Sequence, residues 1–177
     1  GKGFVEALKT IGNPQGSRTV IFGAGGAARA IAIELALAGA QKITIVNRSP
    51  ERGKKLAQHV DSQTEADCSF ADWTAGYSIP EDSSLVVNAT SLGFYPNHEQ
   101  TLDVDFSSFT PGSIVADVVA NPPKTRWLQA AETAGCVSLT GIGMLVNQAR
   151  VNAQLWTGET LDAEVMLRAL NKALGLA

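Results

Sequence analysis

At 177 residues and 45% apolar composition, the chain is long enough to bury one substantial core, and a single compact domain is expected. A formal charge of -3, with Lys and Arg scattered along the sequence, gives no concentrated basic surface; this argues against nucleic acid or anionic membrane and points to a small-molecule partner. Cys68 and Cys136 stand far apart with no CxxC or Cys/His spacing, and no segment approaches the ~20 apolar residues of a membrane helix, so a zinc site, a disulfide framework and a membrane span are not expected, and a reduced, cytoplasmic setting fits.

The chain begins at Gly1 without Met, which suggests a piece of a longer protein, and no signal-peptide pattern follows. An amphipathic pattern over 3–11 predicts a short helix. A Val/Ile-rich run predicts a strand over 19–22, and the nearly all-apolar run over 27–38, stopped by Gly39, predicts a buried helix. A strand follows over 42–46. Ser49 then reads as an N-cap with Pro50 at the first position of a helix to about His59. A weaker strand is expected over 67–70, then strands over 85–88, 114–117 and 137–140. Helices are expected over 125–134, 144–157 and 162–174, with loops over 77–84 and 95–101. Strands alternating with helices make this an α/β chain with a Rossmann-type, doubly wound parallel sheet of about six strands.

The strongest local signal is Val20-Ile21-Phe22-Gly23-Ala24-Gly25-Gly26-Ala27-Ala28-Arg29, where a strand runs through GxGxxA into a helix. Gly23 permits the tight turn, Gly25 lets the backbone approach a diphosphate, and Ala28 is small enough for close helix-to-sheet packing. The open N–H groups of the first helical turn would hold the diphosphate, so Gly23, Ala24, Gly25, Gly26 and Ala27 are expected at a dinucleotide.

About 20 residues beyond such a turn, an NAD site places an Asp or Glu against the ribose 2'-hydroxyl. Here the position reads Asn47-Arg48-Ser49-Pro50-Glu51-Arg52. Arg48 and Arg52 can pair with a 2'-phosphate, while Asn47 and Ser49 can add neutral hydrogen bonds, so NADP is the expected cofactor. Cations in a first helical turn oppose the helix dipole by a few tenths of a kcal/mol, which makes an anionic ligand the better reason for them.

Several stretches along almost the whole chain resemble shikimate dehydrogenase. Gly1-Lys2-Gly3-Phe4 is similar to that family's segment after its catalytic Asp, the turn at 23–30 to its diphosphate loop, and Asn47-Arg48-Ser49 with Arg52 to its NADP-selecting motif. Asn88-Ala89-Thr90-Ser91-Leu92-Gly93 resembles the loop after the fourth strand, beside the cofactor. Asp117 to Thr125 resembles the Asp-x-x-Tyr-x-Pro-x-x-Thr segment, and Gly141-Ile142-Gly143-Met144-Leu145-Val146-Asn147-Gln148 the C-terminal signature. The resemblance implies that Asn88, Thr90, Ser91, Gly141 and Met144 contact the cofactor and that Gln148 reaches substrate hydroxyls. It further implies NADPH-dependent reduction of 3-dehydroshikimate to shikimate, in aromatic amino acid biosynthesis. The family tyrosine is Ala120 here, which removes a hydrogen bond worth on the order of 1 kcal/mol and bears on substrate identity.

By the same resemblance, the proton-handling Lys and Asp belong to an N-terminal substrate domain upstream of Gly1. The chain is then a cofactor half whose terminal helices pack toward that domain, and which binds NADP without turnover on its own. His59 and His98 read as surface histidines, Asp103 and Asp105 as solvated loop residues, and Asp117 as structural or substrate-proximal. Quinate/shikimate dehydrogenase, the nucleotide domain of glutamyl-tRNA reductase and a non-catalytic NADP(H) module are the competing readings; the signature at 144–148 and the loop at Thr90 speak against the tRNA reductase.

Overall fold

The computed structural model describes residues 1–176. Six parallel strands, β1 (Arg18–Phe22), β2 (Lys42–Asn47), β3 (Asp67–Asp72), β4 (Leu85–Asn88), β5 (Ile114–Asp117) and β6 (Val137–Leu139), form one sheet in the order β3-β2-β1-β4-β5-β6. The order reverses between β1 and β4, so a crevice opens at the carboxyl ends of these two strands, where open α/β sheets take ligands. In register, Phe22 at the end of β1 lies beside Val46 of β2 and Asn88 of β4.

Strand alternation splits the core in two. Ile21, Ile43, Ile45 and Val87 face one side, covered by Phe4, Ile31, Leu35, Leu56 and Val60; Val20, Phe22, Val46, Val86 and Val115 face the other, covered by Leu102, Phe109, Trp127 and Leu128. The first side belongs to α1 (Lys2–Leu8), α2 (Gly26–Leu37) and α3 (Pro50–Gln63), the second to α4 (Arg126–Thr133) and the segment before β5. Burial of each such Ile, Leu or Phe contributes roughly 1.5–3 kcal/mol.

Most expected elements are present with shifted ends. The helix expected to stop near His59 runs on to Gln63, because Leu56, Ala57 and Val60 carry its buried face past the polar residues that disguise it. The last long pair is α5 (Gly141–Thr157) and α6 (Ala163–Ala173); α5 starts three residues earlier than expected, at Gly141. A short 3-10 turn, Phe106–Ser108, is unannounced in the sequence. Asp105 caps it by accepting from the Ser107 N–H and hydroxyl, and Asp103 accepts at Oδ1 from Gly76 N–H, so these two aspartates build the loop and are not merely solvated.

Asp117 is 1% exposed at the end of β5. Its carboxylate accepts from Thr125 Oγ1 (2.6 Å), the Val119 N–H (3.0 Å) and Asn88 Nδ2 (3.0 Å). Burial nevertheless pushes its carboxyl up from 3.8 to about 6, the three hydrogen bonds offsetting only part of the desolvation. The folded chain thus holds this proton more tightly than the unfolded one, so the group favours folding below about pH 4 and that contribution is lost as pH rises through about 6. Asp117→Asn should therefore move the stability difference from wild type by roughly 2 kcal/mol in the variant's favour between pH 4 and pH 7, as read by urea unfolding. A difference independent of pH would mean that the buried carboxyl ionises like an exposed one.

Candidate dinucleotide site

The turn from β1 into α2 supplies the floor of the site. Gly23 has φ +112°, donates its N–H to the Val46 carbonyl (2.8 Å), and has the Ala89 carbonyl oxygen 2.9 Å from where a Cβ would stand. Only glycine fits there. Gly25 and Gly26 are different, because no atom lies within 4 Å of a Cβ built on either. No side chain caps α2 and no acid sits in its first turn, so its leading N–H groups face that open space with the positive end of the helix dipole behind them. A helix N-terminus open in this way is suited to an anion.

The second wall is the β2–α3 junction. Ser49 caps α3, accepting from the Arg52 N–H (3.5 Å), and Asn47 Nδ2 donates to the Ser49 carbonyl (2.9 Å), so Asn47 and Ser49 brace the loop that carries the two arginines. Arg48 is exposed, its guanidinium carbon 5.9 Å from the centre of the Trp73 ring, and Trp73 is itself fixed by donating from Nε1 to the Asp103 carbonyl (3.0 Å). Arg52 lines a cavity of about 410 Å³ together with Ala24, Gly25, Gly26, Arg29, Lys55, Leu56 and His59. A comparable cavity of about 470 Å³ between α1, α2 and α5 carries Glu6 and Glu34 as well as Lys2, Lys9 and Arg150, and it does not include the glycine turn.

The loop after β4 is organised differently from expectation. Asn88 is fully buried (0% exposed), and its amide is spent inward. Nδ2 donates to Asp117 and to the Leu92 carbonyl, while Oδ1 accepts from the N–H and hydroxyl of Thr90. Its side chain therefore shapes the loop. The Thr90 hydroxyl also accepts from the Leu92 N–H, which leaves its methyl, packed near Gly23, and the exposed Ser91 as the outward features.

The third contributor is the start of α5. A Cβ at Gly141 would meet the carbonyls of Val119 and Val118 at 2.5 and 2.7 Å, so this helix can approach the loop after β5 only through glycine. Met144 is half-buried against the core, and Gln148 is exposed, its backbone seated against Gly3 of α1. Ala120 is half-buried on the loop after β5. The expected contacts thus sit along the carboxyl edges of β1, β2, β4, β5 and β6.

A family model for shikimate / quinate 5-dehydrogenase matches residues 6–92, and one for the shikimate 5'-dehydrogenase C-terminal domain matches residues 141–170. The chain belongs to the shikimate dehydrogenase family. It is 40% identical over 174 residues to the shikimate dehydrogenase (NADP(+)) of Methanopyrus kandleri, an alignment covering 96% of this chain and 60% of that protein. It is 46% identical to the 5-ketofructose reductase of Gluconobacter sp. strain CHM43, solved in ligand-free form, with TM-score 0.93 over 98% of this chain and 62% of that one. A shikimate dehydrogenase solved in complex with NADP+ aligns with TM-score 0.89 and 31% identity over 97% of this chain and 60% of that one. The chain therefore spans about 60% of the length of the relatives it matches.

The structure places Arg48 and Arg52 on the β2–α3 junction, and Arg29, Lys55 and His59, which the sequence reading did not assign to the site, line the cavity beside Arg52. Lys55 sits one helical turn beyond Arg52, which was a usable signal. Arg29 and His59 meet only because α2 and α3 pack side by side. His98, by contrast, is an exposed residue beside Glu99, as expected. Among the described residues no group of His, Cys, Asp and Glu could hold a metal ion, and no helix is long and apolar enough to cross a membrane.

Proposed function

We propose that this chain is the cofactor domain of a cytoplasmic NADP-dependent dehydrogenase that interconverts 3-dehydroshikimate and shikimate. The observation that carries the reading is the pairing of an uncapped α2 N-terminus, opening on the bare Gly25 and Gly26, with Arg48 and Arg52 at a strand end where Asn47 stands in place of a carboxylate. When bound, NADPH supplies the hydride. The α2 N–H groups would hold the diphosphate and the arginines the 2'-phosphate. Gly141 and Met144 would line the nicotinamide, Ser91 and the Thr90 loop would border the cofactor, and Gln148 would reach a substrate hydroxyl.

The terminal helices support the domain reading. α6 buries no residue, and Leu155, Trp156, Val165 and Leu167 are exposed on α5 and α6, an apolar surface suited to an N-terminal substrate domain bearing the proton-handling Lys and Asp.

A second substrate reading, a polyhydroxy ketone such as 5-ketofructose, is favoured by the 46% identity to the Gluconobacter reductase together with Ala120 in place of the family tyrosine. NADPH oxidation by the full-length protein with 3-dehydroshikimate and with 5-ketofructose separates them. A kcat/KM at least tenfold higher for 3-dehydroshikimate is expected; the reverse preference would replace the first reading with the second.

A further inference from the structure

The cavity between α2 and α3 holds more positive charge than two arginines. Arg29 from α2 and Arg52, Lys55 and His59 from α3 all line it, beside the Gly25–Gly26 turn, and no carboxylate lines it among the described residues. The chain as a whole carries -3, and Lys9, Arg18, Lys124, Arg126 and Arg168 are in ion pairs, whereas Arg29, Arg52 and Lys55 have none among the described residues. Unpaired like charges held together repel one another, and an anion relieves that repulsion.

His59 is the unusual member. Arg29 Nη2 lies 3.0 Å from His59 Nε2. A guanidinium is always charged and has only donors, so this contact requires Nε2 to accept, which it does only when it carries no proton. Facing His59 are Arg29 across the helix interface and Arg52 and Lys55 along its own helix, all cationic, so its Nε2 accepts from a guanidinium in a setting without a carboxylate among the described lining residues. A dianionic phosphate in the cavity reverses this. It draws the Arg29 fork to its own oxygens, frees Nε2, and favours an imidazolium that donates a charge-assisted hydrogen bond.

We propose that Arg29, Lys55 and His59 extend the 2'-phosphate site, and that His59 takes up a proton from solvent as the phosphate enters. This rests on the cofactor reading above and deepens it: recognition of the 2'-phosphate is coupled to pH, while NAD binding is not. The proton balance has a distinctive sign. A phosphate monoester has a second pKa of about 6, so the phosphate itself can only release a small fraction of a proton on meeting cations near neutral pH; uptake must come from the protein.

The test is calorimetric titration of the full-length protein with NADP+ and with NAD+ at pH 7.5, in buffers of different ionisation enthalpy, for wild type and His59→Gln. Glutamine keeps a hydrogen-bonding head on an only half-buried helix position and cannot titrate. Net proton uptake on NADP+ binding, none with NAD+, and loss of the uptake in His59→Gln with NADP+ affinity lowered several-fold are expected. NADP+ binding with no uptake, or with uptake unchanged in His59→Gln, overturns this inference and leaves the cofactor reading standing. Binding of neither nucleotide overturns both.

Discussion

The Arg48→Ala, Arg52→Ala double variant should lose about 3 kcal/mol or more of NADP+ affinity, roughly 150-fold, while NAD+ affinity changes little. Each arginine offers charge-assisted hydrogen bonds that only the 2'-phosphate can accept, and among the described residues neither has a carboxylate partner whose loss would confuse the result. The loop itself should survive, because its geometry is held by Asn47 donating to the Ser49 carbonyl and by the Ser49 cap, not by the guanidinium groups. Equilibrium titrations of both nucleotides check this, with thermal unfolding as the control for fold. Equal losses for NADP+ and NAD+ would mean that the arginines serve the diphosphate or the loop and do not select the phosphate. Trp73 gives a graded version of the same expectation, since its ring supports Arg48 from behind at 5.9 Å.

The two glycines of the turn should behave in opposite ways. A side chain at Gly25 meets no protein atom and has ordinary extended backbone, so Gly25→Val should fold with nearly wild-type stability yet lose nucleotide binding at least tenfold, because the isopropyl group stands where the diphosphate must approach the α2 N–H groups. Gly23→Ala should instead unfold more easily by about 3 kcal/mol, the sum of an unfavourable φ of +112° and a Cβ 2.9 Å from the Ala89 carbonyl oxygen. Urea unfolding and NADP+ titration of the two variants separate fold from function. A Gly25→Val variant that binds NADP+ normally would remove the diphosphate from this turn.

Much of this was legible in the residues. The strands announce themselves because Ile21, Ile45 and Val87 are buried on one face and Phe22, Val46 and Val86 on the other, which forces near-continuous apolar runs in a sheet covered on both sides. The glycine turn and the arginines follow in fixed order along the chain, so spacing alone positions them. What spacing cannot carry is contact between elements. The sequence placed Asn88 at a strand end but not its partner: the parallel pairing of β4 with β5 sets it directly beside Asp117 and gives its amide a buried partner. The contact of the half-buried His59 with Arg29 could not be read locally, because that arginine lies 30 positions earlier, on a helix whose packing against α3 no local pattern reveals. The early start of α5 was hidden for a related reason: glycines at 141 and 143 read as loop, yet Gly141 is what lets the helix press against the Val118 and Val119 carbonyls.

The most direct test of the central claim, that this chain is an NADP-selective dinucleotide domain, is a calorimetric comparison of NADP+ and NAD+ on the unmodified protein at moderate salt, where phosphate contacts are not screened away. The arrangement of Arg48, Arg52 and the open α2 N-terminus predicts NADP+ binding about a hundredfold tighter than NAD+, weakening as salt rises. Equal affinity for the two, or a preference for NAD+, would contradict it.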